Sequence, residues 1–173
     1  MPKVLFVIAP QNFRDEEFSI PKQILERERI KITVASITTD TCTGMLGLRI
    51  KPDIAVIDAR EVDYDGIVIV GGSGSPRLAD SLEVTNLVKR FFAANKLIAS
   101  ICLAAVVLAR AGILKGKSAT VYPADFAVAE LQRSGAFYEE KKLVVDGKIV
   151  TADGPQSAEE FAKAIVKLLI SEK

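Results

Sequence analysis

The sequence contains no histidine, no tryptophan and only two cysteines. The missing histidine excludes most. A homo-oligomer repeats one chain, so no Cys–His or Ser–His dyad can form within or between identical subunits. Histidine-based metal sites are excluded with it, and two separated cysteines are too few for a structural zinc site. No metal is expected. Charge of one sign is lacking as well. The formal net charge is +1, which offers nucleic acid or a membrane surface no broad electrostatic attraction. The longest apolar stretch, residues 97–109, is too short to span a bilayer and is closed off by Lys96 and Arg110. The N-terminus reads as a strand, without a signal peptide's basic start and cleavage site. A cytoplasmic protein is therefore expected, with Cys42 and Cys102 kept as thiols.

What is present is ordinary for a folded chain: 173 residues, 49% hydrophobic and 26% charged, enough for one domain spanning residues 1–173. Residues 3–9 are a continuous apolar run, the signature of a parallel strand covered on both faces. Residues 10–15 break it, and a helix follows over 16–27, with Phe18, Pro21, Ile24 and Leu25 on one face. Pro21 belongs either in its first turn or at a kink. A second strand is expected over 30–37. Residues 38–52 carry Gly44, Gly47 and Cys42 in a small hairpin or loop, and 58–62 form a helical turn. Residues 67–70 are another buried strand. A helix over 82–95 turns Leu87, Val88, Phe91 and Phe92 inward.

Further strands are expected over 97–101, 117–122, 136–138 and 143–151, the last broken by an Asp146-Gly147 turn. Pro123-Ala124-Asp125 caps a helix running to about Gln132, and a last helix covers 157–169. Strands alternating with helices through short loops give an α/β fold: a single doubly wound, mostly parallel sheet flanked by helices.

The chain is organised around Leu97-Ile98-Ala99-Ser100-Ile101-Cys102, a strand that runs directly into the Ala- and Leu-rich helix ending near Arg110 and Gly112. A strand entering a helix needs a sharp turn, and small residues let the backbones pass. That is the geometry of a nucleophile elbow, with Ser100 and Ala104 flanking Cys102 at a spacing of two. A thiol there faces the first amides of the helix, which favour the thiolate. The plain alternative is a buried cysteine acting as a small hydrophobe.

In open α/β sheets ligands bind beyond the carboxyl ends of the strands. Four features fall at that edge: Glu16 and Glu17, the loop over residues 71–76, Cys102, and Tyr122 with Asp125. The loop is no Walker motif, because no Lys-Ser/Thr follows. It is no dinucleotide fingerprint either, because the third glycine is missing. No cofactor is expected. Its glycines permit close backbone approach and could cradle an oxyanion, or simply make a tight turn.

Taken together, these motifs resemble the ThiJ/PfpI superfamily: the acidic loop and helix through Pro21, Val70-Gly71-Gly72, Ala99-Ser100-Ile101-Cys102, Thr120-Val121-Tyr122-Pro123 and Asp153-Gly154-Pro155. The resemblance spans nearly the whole chain. It implies a flavodoxin-like, class I glutamine amidotransferase-like fold, shared by intracellular proteases, the Parkinson-associated deglycase and chaperone-like relatives. It implies that Cys102 is the reactive cysteine and Glu17 the carboxyl beside it. The amides of Gly72 and Leu103 become the oxyanion hole, with Glu16, Gly71, Ser73, Tyr122 and Asp125 around the pocket. It also implies a homo-oligomer and a small carbonyl compound as substrate.

Two departures matter. Leu103 stands where the protease branch has a histidine, and Tyr122 where the deglycase branch has one. Amide hydrolysis through a thiolate needs a proton for the leaving amine, normally from an imidazolium. Peptidase activity is therefore not expected. Attack on an α-oxoaldehyde asks less, because one carboxyl can shuttle the proton, which leaves slow glyoxalase- or deglycase-type chemistry. The alternatives are a redox sensor or chaperone-like stress protein acting through oxidised Cys102, and a binding domain with an incidental cysteine. Cys102 is expected to titrate well below the free-thiol reference of about 8.5, and Cys42 near it.

Overall fold

The computed structural model describes residues 1–171. In chain order come β1 (Lys3–Val7), β2 (Gln11–Phe13), α1 (Asp15–Arg27), β3 (Lys31–Ser36), β4 (Cys42–Gly44), β5 (Arg49–Ile50), β6 (Ile54–Ala55) and β7 (Gly66–Ile69). Then follow α2 (Leu82–Ala93), β8 (Leu97–Ile101), α3 (Ala105–Arg110), β9 (Ser118–Ala119), α4 (Asp125–Arg133), β10 (Phe137–Tyr138), β11 (Leu143–Asp146), β12 (Ile149–Ala152) and α5 (Ala158–Ser171). Seven strands form the main sheet in the order β11-β12-β8-β7-β1-β3-β6. Every pair in it is parallel except the β11–β12 hairpin, which closes on Gly147 at φ +60°.

The parallel strands are apolar on both faces because both are covered. Phe18 and Leu25 of α1 pack with Phe161, Ile165 and Leu169 of α5 on one face, against Val4, Phe6, Val68 and Ala99. On the other, Val84, Leu87, Val88 and Phe91 of α2, with α3 and α4, cover Leu5, Ile67, Ile69 and Ile98. The expected single doubly wound α/β sheet is the architecture found.

Several local expectations need correction. Pro21 is not in the first turn. It is inside α1 and buried, and the helix runs on through it. The break at residues 10–15 contains β2, which pairs with β4. Only Ser118–Ala119 of the expected strand over 117–122 pairs, and it pairs with β10 in a separate two-stranded piece rather than with the main sheet. The next amides turn elsewhere: Thr120 donates to Thr151 Oγ1 (2.9 Å) and Tyr122 to the Cys102 carbonyl (3.2 Å). Asp125 does not cap α4. It is the first helical residue, with Ala124 before it and no side-chain cap, so its charge meets the free amides of the first turn. Phe92 was expected inward but is 43% exposed, one residue past the buried stripe ending at Phe91. Cys42 lies on the first strand of the β4–β5 hairpin, one of the two arrangements expected there, but its side chain is buried in the core.

Candidate active site

The site begins with backbone strain. β8 delivers Ile101 in extended conformation, and Cys102 then turns at φ +61°, opening a 3₁₀ turn over Cys102–Ala104 that leads into α3. A positive φ at a residue with a Cβ is costly and is held only where the surroundings impose it. Here α3 imposes it. Ala105, Val106, Val107, Leu108 and Ala109 are all buried, so the helix is anchored against the sheet and the turn before it has no freedom to relax. The elbow expected from the sequence is present.

Two loops converge on the thiol. The first follows β1 and carries Arg14, whose amide donates to the Gly71 carbonyl (2.9 Å). The second follows β7. A Cβ added at Gly71 would collide with Glu17 Oε1 and lie 2.7 Å from Cys102 Cβ, so the carboxyl and the cysteine share the space that glycine leaves. Gly72 has φ +112°, and a Cβ there would run into the backbone of residues 12–14. Both glycines are required, one by space and one by conformation.

Glu17 is fully buried, and neither carboxyl oxygen reaches hydrogen-bond geometry with a donor. Burial raises it to about 8, although the nearby Cys102 thiol and the Arg14 charge pull somewhat the other way. A carboxyl in that condition keeps its proton at neutrality. This settles which acid faces the thiol. Glu16 is instead a partner of Arg14, with contacts of 2.9 to 3.1 Å, and this bond lowers its pKa.

The thiol differs from the sequence-based expectation. Cys102 is 7% exposed, and burial, followed by the Glu17 charge, pushes it up to about 12 against the pull of the Gly72 and Leu103 amides. The expectation counted the amides and left out burial. Glu17 and Cys102 titrate as a pair that resists carrying two negative charges. With Glu17 near 8 and the thiol higher still, the pair loses its first proton from the carboxyl, and the two amides are what support a thiolate. Cys42 is raised too, by burial, and its Sγ lies 3.6 Å from the Asp40 carbonyl.

The structure thus brings together Glu17, Gly71, Gly72, Cys102 and Leu103. Tyr122 stands beside them, its amide N–H donating to the Cys102 carbonyl and its ring 3.7 Å from where a Gly154 Cβ would be; the residue is 45% exposed. Ser73 lies further out, its amide directed at Met45 Sδ (3.4 Å). Among the described residues no hydrogen bond or ion pair joins Asp125 to the group; the helix it opens starts three residues after Tyr122. Sequence reasoning missed Arg14 and Met45. The Arg14–Glu16 pair could have been found from its spacing of two, but nothing local foretells a hairpin methionine over the glycine loop. Among the described residues no cluster of His, Cys, Asp and Glu could hold a metal.

The model of the DJ-1/PfpI family matches residues 2–168. The chain belongs to that family. Uncharacterized protein MJ0967 of Methanocaldococcus jannaschii is 48% identical over 168 residues, covering 96% of this chain and 82% of that one. Deglycase PH1704 of Pyrococcus horikoshii is 29% identical and covers 96% and 99%. Among solved structures, the ThiJ/PfpI domain protein of Brachyspira murdochii superposes with a TM-score of 0.94 at 35% identity, over 98% of this chain and 96% of that one. This DJ-1/PfpI chain contains no histidine, so no imidazole stands beside Cys102 in it or in identical copies. No helix among the described residues is long and apolar enough to cross a membrane.

Proposed function

We propose that this DJ-1/PfpI protein carries out slow, cysteine-dependent chemistry on small reactive carbonyl compounds, of the glyoxalase or deglycase type. The observation that carries the reading is the pairing of Cys102, on a strained elbow, with a buried carboxyl raised to about 8. Cys102 Sγ adds to the aldehyde carbon of an α-oxoaldehyde, and the thiol proton ends on the new oxygen. The amides of Gly72 and Leu103 receive that oxygen as its charge develops. Glu17, ionised in a fraction of molecules near neutrality, takes the hydrogen from the former aldehyde carbon and returns it to the neighbouring carbon, while the new hydroxyl's proton passes to the former ketone oxygen. The product is a thioester of a 2-hydroxy acid. Water hydrolyses it, restoring the thiol, so substrate plus water gives the acid with no external oxidant. A group whose pKa lies close to the working pH can both accept and return a proton. The likeness to a relative named as a deglycase supports the same class.

The rate should fall short of a histidine-equipped site by about 10²–10⁴-fold, the usual worth of one acid–base group. The test is lactate formation from methylglyoxal by the full chain, beside Cys102→Ser and Glu17→Gln. Turnover abolished in both variants is expected. Turnover unchanged in Cys102→Ser would end the proposal. A second reading, oxidation of Cys102 to a sulfinate held by the same amides and a protonated Glu17, is favoured by the two unpartnered Glu17 oxygens. Two oxygen atoms gained at Cys102 under mild peroxide, with no turnover in the reduced protein, is the result that supports it.

A further inference from the structure

The sheet has a second place at which its topology favours a ligand. The chain passes from β1 to β3 on one side and to β7 on the other, so the strand order reverses between β1 and β7. At such a reversal the two outgoing loops part in opposite directions and leave a crevice beyond the strand ends, where doubly wound proteins hold ligands. Cys102 is not there. It follows β8, one strand further along. The crevice itself holds a cavity of about 370 Å³, large enough for a small metabolite.

Its floor includes Ala9 and Leu78, both buried, and its rim carries Gln11, Asn12, Ser73 and Arg77. Of the described residues lining it, Arg77 is the only charged one. Among the described residues, its guanidinium makes no ion pair or hydrogen bond, and the side chains of Gln11, Asn12 and Ser73 make none within the protein. Arg14, Arg60, Arg90, Arg110 and Arg133 are paired with carboxylates, while Arg27, Arg29 and Arg49, which do not line the cavity, have, like Arg77, no ion pair among the described residues. The backbone holds the rim rigidly. Asn12 sits at φ +63°, and the amide of Gly74 donates to the Asn12 carbonyl (3.0 Å). A Cβ at Gly74 would collide with the Gln11 carbonyl, so the two loops meet at a fixed separation. An apolar floor, neutral polar rim groups and one unpaired fork of N–H donors match a small molecule with a short carbon body and one oxyanion group.

We propose that this crevice is a second ligand site, taking a small organic oxyanion whose phosphate or carboxylate is bound by Arg77. It does not rest on the thiol chemistry. Residues 71–74 form a wall between the two sites, so a ligand held at Ser73 and Arg77 adjoins the segment that presents the Gly72 amide to Cys102.

The full-length protein, labelled with ¹⁵N, is titrated at constant ionic strength with glycerol 3-phosphate, with succinate and with uncharged glycerol, while amide shifts are followed. Saturable shifts at Asn12, Ser73, Gly74 and Arg77 are expected with at least one anion and not with glycerol. The preferred anion tells phosphate from carboxylate. Arg77→Gln should weaken that binding by about tenfold or more, the worth of a charge-assisted contact, and Arg77→Lys should restore part of it. Arg77 makes no ion pair among the described residues, and an unchanged melting temperature shows that the variants fold. No saturable shift with either anion, equal affinity in Arg77→Gln, or shifts confined to Cys102 and Leu103 would each overturn the proposal.

Discussion

At the scale of single residues, the protonation of Glu17 is the central fact. Its ordinary value is 4.5 and its folded value about 8. The folded protein therefore binds a proton that the unfolded chain releases above pH 4.5. Stability from this group is fully present below that pH and is lost as the pH climbs toward 8, by on the order of a few kcal/mol. Glutamine removes the titration and keeps the shape. We expect urea unfolding between pH 5 and 8 to show wild type losing stability relative to Glu17→Gln as pH rises. Parallel curves for the two proteins would show that burial does not hold this carboxyl protonated. Cys102 adds to the trend at higher pH, because its thiol is raised by the same burial and by the ionised neighbour.

At the scale of elements, the site is a meeting of two loops and one elbow, and its tolerances are set by backbone. Gly72 and Gly147 both have positive φ, but only Gly72 is crowded: a Cβ at Gly147 meets nothing within 4 Å. Replacing Gly147 by alanine should cost about 1 kcal/mol, for conformation alone. Gly72→Ala adds a clash with the backbone of residues 12–14, which cannot move without disturbing the Arg14–Gly71 bond that links the two loops. We expect at least about 3 kcal/mol there, in the range of strained backbone plus overpacking. Denaturant midpoints for the two variants decide it, and equal losses would mean that the loop yields. Asp15 adds a further tie, its carboxylate accepting from the amides of Leu46 (3.1 Å) and Leu48 (2.9 Å) and so fixing the β4–β5 hairpin to the start of α1.

At the scale of the whole molecule, composition limits the chemistry more firmly than any contact does. With no histidine in the chain, the protein has no imidazolium for a departing amine in any assembly of identical copies. The buried carboxyl that could donate instead must keep its proton for the thiolate to form beside it. Casein and short peptide amides should accordingly not be cleaved above the background of Cys102→Ala. Robust cleavage that depends on Cys102, in protein free of contaminating proteases, would show that Glu17 or Tyr122 supplies the proton after all.

Much of this was legible in the residues. Continuous apolar runs at 3–9, 67–70 and 97–101 determined a buried parallel sheet, because no other arrangement covers both faces of such strands. The sharp change from a strand to an alanine-rich helix at Cys102 determined an elbow, and the loop glycines marked where backbone must come close. Histidine's absence alone set the limit on peptidase chemistry. Only the tertiary structure decided which acid faces the thiol. Glu16 and Glu17 are adjacent and chemically alike, and the direction in which α1 docks on the sheet buries one and leaves the other with Arg14. It also decided the state of the thiol, because helix-start amides can be anticipated from sequence while burial depends on everything packed above. The pairing of the strands at 118–119 and 137–138 with each other instead of with the main sheet, and the burial of Cys42, lay beyond reach for the same reason. Each depends on partners distant in the chain, and local pattern carries no record of them.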